Sequence, residues 1–226
     1  MIRATLPMQI AIDGPAASGK TTIGRVLAGR FEYAFLDTGL MYRAFTLAAL
    51  RARVDSVSSA ACEQLLQSLD LRVEGSPEAR VLLGDEDVSD LVRAPEIEAA
   101  VSAYSTIPGV REVLVRLQRE YAGRGKVILA GRDIGTVVLP DAPLKLFLAA
   151  SESARASRRM AQAESWGTHQ DVDAAKRDIS QRDRVDSSRK ASPLVAAGDA
   201  VVIDTTSLTL EQSIARAMEI VQCWRA

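Results

Sequence analysis

The chain of 226 residues contains no asparagine, one histidine and two cysteines, and each scarcity removes a class of function. Without asparagine there is no Asn-Lys-x-Asp guanine reader of the kind GTPase switches carry. The single histidine, His169, sits among polar residues, which argues against serine–histidine chemistry and against a histidine metal cluster. Cys62 and Cys223 lie far apart and fit no metal or disulfide spacing, so both are expected to be buried thiols. No apolar run approaches the roughly 20 residues needed to span a bilayer. Residues 1–8 lack the charged start and apolar core of a secretion leader, so a cytoplasmic location is expected. The net charge of −1 gives no general attraction to nucleic acid or to an anionic membrane, and any phosphate recognition must therefore be local. Only five lysines occur, at 20, 126, 145, 176 and 190, a bias toward arginine that fits genome composition or heat tolerance equally well.

What is present is ordinary for a folded enzyme: 47% hydrophobic and 25% charged residues, in a length that suits one domain with insertions. The most informative stretch is residues 9–22. The short apolar run Ile10-Ala11-Ile12 stops at Asp13. Then come Gly14, Pro15, Ala16, Ala17, Ser18, Gly19, Lys20, Thr21 and Thr22, which fit the pattern of glycine, four residues, then Gly-Lys-Ser/Thr. The glycines let the backbone curl so that successive N–H groups face a polyphosphate, while Lys20 reaches the outer phosphates and the Thr21 hydroxyl faces Mg²⁺. An i, i+3, i+4 stripe of Ile23, Val26 and Leu27 predicts a helix directly after the loop.

Further buried strands are expected at Ala34-Phe35-Leu36, Val127-Ile128-Leu129, at residues 144–148 and at Val201-Val202-Ile203, each a near-continuous apolar run. Helical patterns cover residues 40–53, 58–69, 95–103 and 110–121. A long arginine-rich helical stretch is expected over 151–190. Between the helices, Leu71, Val73 and Val81-Leu82-Leu83 flank a turn at 74–77 and predict a small antiparallel hairpin outside the main sheet. The spacing Thr209-Leu210-Glu211-Gln212 is a capping box opening a last helix through Ile214, Met218 and Val221, with the 208–221 face and Trp224 expected in the core. Strands alternating with helices argue an α/β fold, a parallel sheet covered on both faces with ligands at the carboxyl ends of its strands.

Several separated motifs carry a resemblance. GPAASGKTT at 14–22, LDTGLMYRA at 36–44, GRDIGTVVLPDA at 131–142, SRRM at 157–160 and RDRVDSSRKASPL at 182–194 resemble, in that order, the bacterial cytidylate kinases. The resemblance implies a three-layer P-loop kinase fold with a five-stranded parallel sheet. It further implies a monophosphate-binding insertion over about 39–125, holding the antiparallel β segment, and a helical, arginine-bearing lid over about 151–190. It implies transfer of the γ-phosphoryl group of ATP to CMP or dCMP with Mg²⁺ as cofactor. By resemblance, Arg43 and Arg132 hold the acceptor phosphate, Thr38, Arg111, Asp133 and Arg189 surround the base, and Ser102, Arg182 and Asp186 meet the sugar. The partners it implies are small nucleotides acting on a monomer, without nucleic acid or membrane. Three positions depart from the commonest family pattern: Thr38, Ala130 before the Gly-Arg-Asp block, and Val185.

The chemistry of the residues agrees with that expectation. Cytosine presents an amino donor beside two acceptors, which a carboxylate flanked by guanidinium groups complements, whereas uracil would set its O4 acceptor against Asp133. Leaving such groups unpaired rejects an analogue by up to ~10⁴. A CMP phosphate is already mostly dianionic at neutral pH, so no general base is required. Lys20, Arg132, Arg155, Arg158 and Arg159 are the candidate catalytic cations. Alternatives stay open at this level. Arg155, Arg158 and Arg159 could form a solvated helix face, the 182–186 charges a surface ion-pair cluster, and Asp133 a helix cap. A P-loop kinase for another small acceptor and a non-enzymatic nucleotide-binding module remain competing functions.

Overall fold

The computed structural model describes residues 6–165, 171–189 and 192–225. Its centre is a five-stranded, all-parallel sheet built from β1 (Gln9–Asp13), β2 (Ala34–Asp37), β6 (Val127–Gly131), β7 (Leu144–Ala149) and β8 (Val201–Asp204), in the order β2-β6-β1-β7-β8. Helices α1 (Lys20–Phe31), α2 (Gly39–Arg51), α3 (Ser59–Ser68), α4 (Pro95–Tyr104), α5 (Pro108–Ala122), α6 (Glu152–Ser165), α7 (Val172–Ser188) and α8 (Leu210–Cys223) surround it. A second sheet of β3 (Leu71–Glu74), β4 (Arg80–Leu83) and β5 (Glu86–Asp87) lies apart from the first.

The apolar strands read as continuous runs because both faces are covered, and successive side chains point to opposite faces. Ile10 and Ile12 of β1 join Ile128, Leu146 and Leu148 in one cluster with Ile23 and Leu27 of α1 and Ala217 and Val221 of α8. Ala11 joins Leu36 and Leu129 in the other, with Met41, Ala44 and Phe45 of α2 and Leu114 of α5. The same cluster takes in Leu71, Val73 and Val81 of the small sheet and Cys62 and Leu66 of α3. The antiparallel segment therefore has no core of its own and is held by the main one. Each fully buried Leu, Ile or Phe side chain contributes on the order of 1.5–3 kcal/mol.

Register then places the site. Asp13 lies opposite Gly131 and Asp37 opposite Ala130, so three strands end together with Asp13, Asp37, Arg132 and Asp133 on one edge of the sheet. At Gly24 a Cβ would sit 2.3 Å from the Phe35 ring, which lets α1 pack hard against β2.

Several expectations need correction. Val26 is 37% exposed, and Gly24 and Ala28 take its place on the buried face of α1. Cys223 is exposed while Cys62 is buried. The last strand, β8, is a sheet edge, and only Ile203 of its residues is buried. Leu210 is exposed at the start of α8, whose Thr209–Gln212 capping box is otherwise as expected. The helical stretch over 151–190 is two helices, α6 and α7, packed through Ala156, Ala175 and Ile179. The hairpin carries a third strand, and α5 opens at Pro108, whose ring suits the first helical position. Residues 1–5, His169 and Lys190 lie outside the described residues.

Candidate active site

The loop after β1 curls as its glycines require. Gly14 has φ 148°, and a Cβ there would meet the Leu148 carbonyl oxygen at 2.4 Å. Ala17 and Gly19 also hold positive φ, and Gly19 stands in the left-handed region as the N-cap of α1 without a side-chain cap, leaving the first N–H groups of that helix for an anion. Lys20 lies back over the loop, donating to the Pro15 carbonyl at 2.6 Å, with Ser18 Oγ at 3.4 Å. Burial first, and then the Arg132 charge, push its ammonium well below the usual lysine range. A buried cation under that pressure is stabilised by an arriving polyphosphate. Pro15, Ala16 and Ala17 form the outer curl, with Ala16 buried, while Thr22 is exposed on the first turn of α1.

Thr21 Oγ1 donates to Asp37 Oδ2 at 2.7 Å. Burial raises the Asp37 pKa, but the Arg43 charge, the Thr21 hydroxyl and Lys20 together bring it below the ordinary aspartate value, so it stays anionic. A hydroxyl and a carboxylate side by side are hard oxygen donors that suit a cation keeping most of its own water, as Mg²⁺ does. Among the described residues there is no group of three or more His, Cys, Asp or Glu that could hold a metal.

Across the strand ends, arginines and carboxylates interlock. Arg132 Nε donates to Asp186 Oδ2 at 2.9 Å, and Arg189 donates to the other oxygen of Asp186 and to Ser105 Oγ at 2.9 Å. Burial pushes the Asp186 pKa up, yet Arg132 and Arg189 hold it below its usual value. Arg111 pairs with Asp133, donates to the Ser105 carbonyl at 3.2 Å, and lies 5.4 Å from the centre of the Tyr42 ring. The Nε atoms of Arg111 and Arg189 are buried without a hydrogen-bond partner among the described residues. Thr38 is buried and donates to the Ala130 carbonyl at 2.9 Å. Ala130 itself packs in the apolar cluster with Ile10 and Ile12, opposite Asp37 in the ladder.

The remaining expected residues gather around α4, α6 and α7. Arg43, Arg159 and Arg182 all reach Glu98. Arg155 is buried, donates to the Ala16 carbonyl at 3.2 Å and pairs with Asp183 at 2.6 Å, tying α6 to the phosphate loop. Arg158 donates to the hydroxyl and the carbonyl of Thr205 beyond β8, so here it faces away from Glu98. A solvated face is thus excluded for Arg155, and the surface-cluster reading survives only for Arg184, which is exposed. Asp133 makes no cap hydrogen bond. Ser102 is half-buried, and its neighbour Ser105 makes the arginine contacts instead.

A sequence model described as cytidylate kinase matches residues 10–223. The chain belongs to the cytidylate kinase family. A cytidylate kinase of Mycolicibacterium paratuberculosis is 47% identical over 215 residues, 94% of this chain and 94% of its own. One from Lactobacillus gasseri is 45% identical over 217 residues, 95% of this chain and 94% of its own. Among solved structures, an uncharacterized protein from Eubacterium ventriosum aligns over 96% of this chain and 99% of its own with TM-score 0.52 and 13% identity, a likeness of fold alone. As a member of the cytidylate kinase family, the protein is a phosphoryl-transferring enzyme, and such transfer normally uses a divalent metal. Among the described residues no helix is long and apolar enough to cross a membrane.

The sequence puts Asp37 at the carboxyl end of its strand, where ligands are expected, but marks no place in the site for Asp13, Glu98, Ser105 or Asp183. Asp13 accepts the N–H groups of Ile134 and Gly135, both at 2.7 Å, and so pins the Gly-Arg-Asp loop. Asp13 and Asp37 each end a buried strand, a legible signal. Glu98 and Ser105 lie on or just after an ordinary amphipathic helix, where nothing in the pattern marks them.

Proposed function

We propose the residue roles by which this cytidylate kinase-family enzyme transfers the γ-phosphoryl group of ATP to CMP or dCMP. The donor triphosphate lies in the loop of residues 14–22, with Lys20 on its outer phosphates. Thr21 and Asp37 would hold Mg²⁺, which would neutralise charge on the phosphate oxygens. The acceptor lies across the strand ends in the 39–125 segment, which serves as the monophosphate-binding insertion. Arg43 and Arg132 take its phosphate, Arg111, Asp133, Arg189 and Thr38 take the base, and Arg182, Asp186 and Ser102 take the sugar. The 151–190 segment is the lid, and Arg155 and Arg159 bring its positive charge over the transferring group, while Arg158 joins them when the lid closes.

One observation supports this reading above the others: Lys20, Thr21 and Asp37 meet Arg132 and Asp133 at a single sheet edge, with Arg43 beside Asp37. Two nucleotide phosphates brought there end to end would be flanked by cations on every side. The protein's contribution is positioning and charge neutralisation, because an acceptor dianion attacks without help from a base. Arginine contacts of this type contribute ~10³ to ~10⁵ in rate elsewhere. The enzyme acts as a cytoplasmic monomer on free nucleotides, with no nucleic-acid partner.

A steady-state coupled assay of ATP with CMP, dCMP, UMP and AMP tests the reading. CMP and dCMP are expected to turn over far faster than the other two. Lys20→Ala is expected to lose at least ~10³ in kcat while melting cooperatively. A Lys20→Ala enzyme with unchanged kcat, or AMP as the best acceptor, would refute it.

A further inference from the structure

Glu98 sits in the first turn of α4, and its carboxylate is reached from three separate elements. Arg43 of α2 donates through Nε to Oε2 at 2.9 Å, Arg159 of α6 lies 3.5 Å from Oε1, and Arg182 of α7 closes on the same oxygen. The cluster is sheltered: the Glu98 side chain is 20% exposed and those of Arg43, Arg182 and Arg159 are 18, 21 and 27% exposed. Although burial pushes the Glu98 carboxyl up, Arg43 and then Arg182 hold it far below the usual glutamate range, so it stays ionised. Three guanidinium groups from three elements thus converge on one carboxylate, while Asp37 also acts on Arg43 and Asp186 on Arg182. Convergent guanidinium groups are also the groups that hold a phosphate monoester dianion well.

We propose that Glu98 is an internal stand-in for the acceptor's phosphate, holding Arg43, Arg159 and Arg182 together in the free enzyme and giving them up when the CMP phosphate arrives. This rests on the reading of Arg43 as an acceptor-phosphate ligand. The exchange replaces one negative charge by two beside Arg43 and frees Arg182 for the sugar and Arg159 for the transferring group. It also releases α4 from α6 and α7, coupling acceptor binding to the position of the lid. The carboxylate competes with substrate, so the free enzyme binds CMP more weakly than the same arginines would without it. Losing a charge-assisted hydrogen bond changes a binding constant by roughly tenfold or more.

Calorimetric titration of CMP into wild type, Glu98→Gln, Glu98→Asp and Arg43→Ala tests this, with kcat and KM for both substrates and a thermal melt for each variant. Glu98→Gln is expected to bind CMP on the order of tenfold more tightly and to lower KM for CMP but not for ATP. Glu98→Asp, which keeps the charge, is expected to stay near wild type, and Arg43→Ala to weaken CMP. Unchanged or weaker CMP binding by Glu98→Gln overturns the proposal. So does a wild-type CMP complex in which Glu98 keeps all three arginines, a result that does not depend on any variant folding. If Arg43→Ala binds CMP as wild type does, the acceptor assignment falls instead, whatever Glu98→Gln shows.

Discussion

Replacing Asp133 by asparagine separates two roles that one ion pair could have. Arg111 and Asp133 leave only 6 and 7% of their side chains exposed, so their contact is desolvated. Removing one member of such a pair strands a buried charge and costs about 3–5 kcal/mol when nothing replaces it. Asparagine keeps a carbonyl oxygen in nearly the same place, so Asp133→Asn should cost less, about 1–3 kcal/mol. In a chain of this length that lowers Tm by roughly 2–12 °C, which differential scanning calorimetry resolves. The second effect is on the base. If Asp133 accepts from the cytosine amino group, the amide can turn to donate to uracil O4, and the CMP to UMP ratio of kcat/KM, up to ~10⁴ in the wild type, should fall by at least ~10². A drop in Tm with an unchanged ratio would show that Asp133 only holds Arg111. An unchanged Tm would refute the energetic reasoning as well.

Two further perturbations test the frame around the site. Gly24→Ala places a Cβ against a fully packed Phe35 ring, so despite the better helix propensity of alanine it should lower stability by about 1–2 kcal/mol, and a raised Tm would contradict the packing. Asp13 is pushed up from 3.8 to about 6, chiefly by burial, which outweighs its two backbone hydrogen bonds. The folded protein then binds a proton that the unfolded chain has lost, so this group's stabilisation is fully present below pH 3.8 and is lost as pH rises through about 6. The change amounts to about 3 kcal/mol. Glu98 and Asp186, shifted the other way, lose stability only as pH falls below 4.5 and 3.8. Between pH 4.5 and 6, urea denaturation should therefore show stability falling with pH, and Asp13→Asn should flatten that slope; a wild-type slope already flat would remove the shift.

The parts of the fold that the chain announces are those in which residue type and spacing act locally. Five apolar runs became the five strands of the main sheet, four of them because both faces are covered, and the spacing of glycines, Lys20 and Thr21 between a strand and a helix marked the loop at 14–22. Thr209 and Gln212 capped α8 as their spacing demands. What could not be read was pairing between distant segments. Glu98 looks like a charge in the first turn of an amphipathic helix until Arg43, Arg159 and Arg182 converge on it. The pattern over 151–190 reads as helical throughout, and its division into α6 and α7 is not marked by proline. β8 has the same apolar composition as an interior strand, and its place at the edge is a consequence of sheet order, not of its own residues.

That distant pairing bears on how the enzyme can work at all. A site that must grip two phosphate groups collects many cations, and left alone they would repel one another and oppose folding. Here most of the answering carboxylates sit on other elements than the arginines they meet, the pair of Asp186 with Arg189 at the end of α7 being local. Glu98 of α4 answers α2, α6 and α7. Asp186 of α7 answers Arg132 after β6, Asp183 of α7 answers Arg155 of α6, and Asp133 after β6 answers Arg111 of α5. These ion pairs among the site's charges are therefore the same bonds that fix the helices relative to the sheet. On the exchange proposed for Glu98, a substrate phosphate that takes over Arg43 loosens one of those attachments and tightens another around itself. On that proposal closure needs no separate trigger, because the charge brought by the nucleotide is what redistributes the contacts.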